Sequence, residues 1–107
     1  MKYTVADKFL TYVQIDTQAD PMSQSFPSSE KQKVLTHLLC EELNALNIQY
    51  TTNDAGYIYA SIPSNIETQV PNIFFCAHLD TAPDCSGTGV RPLVHSNYQG
   101  QDIPLPD

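Results

Sequence analysis

The stretch PNIFFCAHLDTAPD, residues 71 to 84, brings an imidazole and a carboxylate to the end of an apolar run. His78 and Asp80 stand two residues apart, and Thr81-Ala82-Pro83 follows at once, a sequence that does not continue a regular strand. Both groups are costly to bury without partners. An aspartate at i+2 can accept a hydrogen bond from one ring nitrogen, which fixes the tautomer and leaves the other lone pair pointing outward. This is the carboxylate–histidine–metal arrangement, in which the carboxylate raises the basicity of the ligand. A structural histidine satisfied by its neighbour has the same spacing, and the bare His-x-Asp pattern leaves both readings open. Asp84, His95 and Asp102 also lie in this part of the chain, but their spacing makes no ligand set.

The elements that must position the pair can be read from periodicity. Asn72 to Ala77 is the most continuously apolar stretch and predicts a central strand buried on both faces, with Cys76 as core filler. Functional groups in α/β proteins commonly sit at the carboxyl end of such a strand. Upstream, Thr4 to Ile15 carries Val5, Phe9, Tyr12 and Val13 at helical spacing behind Thr4 as N-cap. Residues 16–28 form a polar loop. A second helix is expected from a capping box at Ser29-Glu30-Lys31-Gln32, with Val34, Leu35, Leu38, Leu39, Leu43 and Leu46 as its apolar stripe and Cys40 as a further core filler. His37 falls on the solvated side. IQYTT and GYIYASIP flank the turn NDAG as a β-hairpin; Tyr57 and Tyr59 are expected to pack within its sheet. Beyond Cys85, taken as a bystander thiol, proline and glycine predict loop, with one short edge strand near Val90 to Tyr98 and His95 at the surface. The order of elements predicts an α/β fold: two helices, then a β-hairpin and a central strand of a mixed sheet.

Composition narrows the function. An apolar share of 41% and a charged share of 16% suit a globular chain rather than a disordered one. Five basic residues against twelve acidic ones give a net charge of -7, which argues against nucleic acid and anionic membranes as partners, since both call for clustered Lys and Arg. No apolar run approaches a membrane span, and no signal peptide is expected. Three cysteines without CxxC spacing point to a reducing cytoplasm rather than a disulfide framework.

The wording around the pair resembles a known family. HLDTAPD resembles the first metal-ligand motif of peptidase T, the tripeptide aminopeptidases of the dizinc exopeptidase clan. FLTYVQIDTQAD, PSSEKQ, GYIYASIPSN and NYQGQDIPL are similar to further segments of that family, in the same order. The resemblance covers essentially the whole chain. It implies that residues 1–107 are the incomplete amino-terminal part of one zinc-peptidase catalytic domain, in which two zinc ions act on a tripeptide substrate. By the same resemblance, His78 is a ligand of one zinc and Asp80 is the acid that orients it and supports catalysis. The bridging aspartate, the catalytic glutamate and the other ligands of the family lie beyond Asp107, so the chain alone is expected to be inactive. Related dizinc carboxypeptidases and deacylases share the His-x-Asp pattern; the matches outside the motif favour peptidase T. The rival reading from another class is a small non-enzymatic α/β module or a gene remnant.

Overall fold

The computed structural model describes residues 4–105. Helix α1, Val5–Tyr12, starts where its cap dictates: the Thr4 hydroxyl accepts the Asp7 N–H at 3.1 Å, and the Asp7 carboxylate accepts the Thr4 N–H at 3.0 Å. This reciprocal box satisfies amide groups that lack an intrahelical partner and sets a negative charge on the positive end of the helix. The helix ends before the expected Ile15, with residues 13–15 in closing turns.

Helix α2, Gln32–Ala45, lacks the expected capping box. The Ser29 hydroxyl donates instead to the Gln18 carbonyl at 2.9 Å, and Glu30 pairs with Lys33. The chain enters α2 through successive i→i+3 turns from Ser29, Glu30 and Lys31. At the other end Asn47 adopts φ 55°, with Ile48 N–H on the Leu43 carbonyl and Asn47 N–H on the Asn44 carbonyl. That pair of bonds is a Schellman motif, and it turns the chain directly into the hairpin.

Strand β1, Gln49–Thr52, pairs antiparallel with β2, Ile58–Ser61, in the register Tyr50 opposite Ala60 and Thr51 opposite Tyr59. Gly56 takes φ +84° in the connecting turn, where its carbonyl accepts the Thr36 hydroxyl of α2. The hairpin therefore lies against α2. Thr36 is buried at this contact and Leu35 is buried beside it in sequence, whereas Val34 and Leu46 of the expected stripe face outward. Lys8 and Tyr12 of α1 both donate to the Glu42 carboxylate and tie the two helices together.

The expected central strand is not formed. Residues 72–80 carry no ladder, and Ile73, Phe74 and Phe75 are all more than four-fifths exposed. A strand needs neighbours on which to place its N–H and C=O groups. Among the described residues the one bridge near this segment is an isolated parallel pairing of Gln18 with Thr81. The apolar run records an appetite for burial; it does not supply the strands that would bury it. Cys76 is exposed for the same reason, and the expected edge strand at 90–98 is irregular chain. Tyr57 and Tyr59 also stay exposed, their rings 6.4 Å apart.

Leu35 is the one buried apolar side chain among the described residues. The radius of gyration, 17.5 Å, exceeds the ~13 Å of a compact domain of this length. No described helix is long and apolar enough to cross a membrane.

Candidate functional site

His78 and Asp80 meet as their spacing predicts. The Nδ1 of His78 lies 3.1 Å from Oδ1 of Asp80. An ionised carboxylate only accepts, so Nδ1 carries the proton and the Nε2 lone pair is left for another partner. The imidazole side chain is 82% exposed and Asp80 is half-buried. Nothing among the described residues occupies the outward face of the ring.

The position of the pair on the body of the molecule is decided one residue further on. Thr81 donates its N–H to the Thr17 carbonyl at 3.2 Å and accepts the Ala19 N–H at 3.0 Å. Between them, Gln18 sends its amide nitrogen to the carbonyls of Pro83 and Cys85, each at 2.9 Å. Asp16 closes the contact, because its carboxylate accepts the Thr88 hydroxyl at 2.6 Å and the Gln18 N–H at 3.0 Å. Lys31 reaches the same carboxylate at 2.9 Å from the turn before α2. Thr17, at the centre, is 2% exposed. Residues 16–19, read from sequence as plain loop, thus clamp the loop that follows the histidine.

Gly87 owes its place to this clamp. A Cβ there would stand 2.8 Å from Asp16 Oδ1 and 3.3 Å from its Cγ. Any side chain added there would have to displace the Asp16 carboxylate from its place in the clamp. Sequence reading missed Asp16, Gln18, Gly87 and Thr88, and the signal available was slight. Gly87 sits in SGTG, a stretch that reads as turn, and its partner lies far back in the chain.

The Thr88 hydroxyl, then the Gln18 N–H and Lys31, hold the Asp16 carboxyl down to about 2. A carboxyl with a lower pKa in the folded chain than in the unfolded one stabilises the fold above the unfolded value. That contribution should be complete above about pH 4 and vanish as the pH falls through 2. In acid titrations followed by circular dichroism, Asp16→Asn should flatten the stability profile in this window. An unchanged profile would mean that these contacts of the Asp16 carboxylate, the Thr88 hydrogen bond first among them, are not formed in solution.

A zinc ion is the group that the pattern implies, and the donor set can be tested for it. A neutral imidazole with an exposed Nε2 and a carboxylate behind Nδ1 fits one ligand position and its support. No group of three or more His, Cys, Asp or Glu side chains gathers for a metal among the described residues. These residues therefore fit one corner of a zinc site, not a closed one.

Comparison with known proteins gives matches along the full chain. It is 45% identical over 106 residues to peptidase T of Brevibacillus brevis (strain 47 / JCM 6285 / NBRC 100599), covering 98% of this chain and 26% of the relative. It is 44% identical over 107 residues to peptidase T of Staphylococcus carnosus (strain TM300), covering 100% of this chain and 26% of that protein. Peptidase T of Bacillus pumilus (strain SAFR-032) is 46% identical over 106 residues, with 98% and 26% covered. No family model matches the chain. The chain spans about a quarter of the length of these curated relatives.

Proposed function

We propose that this chain, homologous along its whole length to the amino-terminal quarter of peptidase T, is part of a zinc-dependent tripeptide aminopeptidase. The match along the whole chain carries this reading, and the observed His78–Asp80 pairing supports it. In the complete enzyme His78 binds one zinc through Nε2. Asp80 keeps the proton on Nδ1 and increases the electron density that the ring offers. Zinc, when bound, supplies a Lewis acid that polarises the scissile carbonyl and acidifies water. The bridging carboxylate and the general-base glutamate that the family uses belong to the rest of such a protein.

The same reading accounts for the missing strand. In the complete domain residues 72–77 form a central strand of a mixed sheet, and Ile73, Phe74 and Phe75 are covered by neighbours from the remaining three-quarters of the protein. A contiguous exposed apolar run of this kind marks a surface that is covered in the working molecule. We place the enzyme in the cytoplasm, where three free thiols persist reduced.

The test compares the 107-residue chain with the full-length peptidase. Given a tripeptide and zinc, the full-length protein should release the amino-terminal residue in a zinc-dependent manner. The chain alone should release none above a blank and should bind zinc weakly, because an open ligand set lacks the affinity of a closed one. Full-length protein without zinc-dependent cleavage would sink the enzyme reading. Turnover by the short chain would mean that its residues contain ligands not recognised above.

A further inference from the structure

We propose that Asp16 and Gln18 are positioning residues for His78, acting through the loop at residues 81–88; the inference rests on His78 being a zinc ligand. The hydrogen bonds described between residues 62–105 and the rest of the chain run between 16–19 and 81–88. They begin at Thr81, next to Asp80, where both backbone groups are engaged. Asp80 in turn is bonded to the imidazole. A chain of contacts therefore leads from the body of the molecule to the metal-binding nitrogen, through Thr17 and Ala19, Thr81, Asp80 and His78. His78 itself is exposed and has no packing to hold it.

Within that chain Gln18 and Asp16 have separate tasks. The Gln18 amide spans two carbonyls of the loop, so the path from Pro83 to Cys85 is set against one side chain. Asp16 anchors the far end at Thr88 and is itself held by Lys31. A ligand kept in one orientation before the metal arrives loses less freedom on binding, which raises affinity. A latch that only stabilised the fold would leave zinc affinity alone.

The experiment uses the full-length peptidase, stripped of metal and titrated with zinc against a chelating dye. The variants are Gln18→Glu, Thr88→Val, Thr88→Ser and His78→Ala, and amide exchange at Thr81 is followed in each. Gln18→Glu turns a donor into an acceptor facing two carbonyls, and Thr88→Val keeps the shape but removes the hydroxyl. Each should weaken zinc binding by about tenfold or more, the usual loss when a group supporting a ligand is removed, and should speed exchange at Thr81. Thr88→Ser should restore both. If Gln18→Glu does not fold, the exposed Thr88 pair decides the matter. Faster exchange with wild-type zinc affinity would overturn the positioning role and leave a purely structural latch. Equal damage from Thr88→Ser and Thr88→Val would also overturn it, since the hydroxyl would then be immaterial. His78→Ala separates the two levels. If it weakens zinc binding while the clamp variants do not, positioning fails and the ligand assignment stands. If His78→Ala leaves zinc binding intact, both fail.

Discussion

His78→Ala in the full-length peptidase should remove one zinc and come close to abolishing tripeptide turnover. The reason is chemical: under the proposed function Nε2 is the atom offered to the metal, and alanine offers none. Asp80→Asn tests the group behind it. The amide retains the size of the carboxylate but loses its charge, and it can present a donor where the Nδ1 proton needs an acceptor. Zinc affinity or activity should then fall by about 10–100-fold, less than for His78→Ala, with the fold intact. Cys85→Ala should change little, because the clamp uses the backbone carbonyl at that position and the thiol is exposed. Zinc content and turnover measured on the three variants together give the ranking. Should Asp80→Asn match wild type while Cys85→Ala loses zinc, the roles assigned to this loop are wrong.

The second large effect is expected at Gly87. In Gly87→Val the new Cβ would fall 2.8 Å from Asp16 Oδ1, and two further methyl groups would follow it. Asp16 cannot swing aside freely, because Thr88, Lys31 and the Gln18 N–H hold its carboxylate. Overpacking at a tight contact costs about 1–3 kcal/mol, here concentrated on the junction that sets the His78 loop. The full-length protein should melt earlier, and the Thr81 amide should exchange faster. Gly87→Ala should do the same to a smaller degree. Its φ is not in the left-handed region, so relief of backbone strain does not enter the comparison. Wild-type exchange at Thr81 in both variants would show that the two segments are not packed this closely in solution.

Much of the local structure was legible in the residues. The Thr4 cap lies where the sequence puts it, and its partner at N3 is three residues away. The hairpin and Gly56 follow from alternation and the turn NDAG. His78 and Asp80 find each other because their spacing leaves the imidazole within reach of the carboxylate. The α2 cap was misread for a related reason. Ser29 offered the right side chain, but its hydroxyl is turned to donate to the distant Gln18 carbonyl and the helix starts later, behind Lys31.

The strand expected at 72–77 separates what is encoded locally from what is not. Its composition states that Ile73, Phe74 and Phe75 should be covered, and composition cannot provide the neighbours. By itself the sequence determined the helices, the hairpin, the carboxylate–imidazole pair and the kinship to peptidase T. All but the last depend on groups a few residues apart, whose reach is limited by the bonds between them. Only the tertiary structure decided that Asp16, Gln18, Gly87 and Thr88 belong to the setting of His78. Asp16 and Thr88 are 72 residues apart in sequence. Many side chains along the chain carry the same donors and acceptors. Which of them pair at such a distance depends on where the folded backbone brings two loops together, and no spacing along the chain records that.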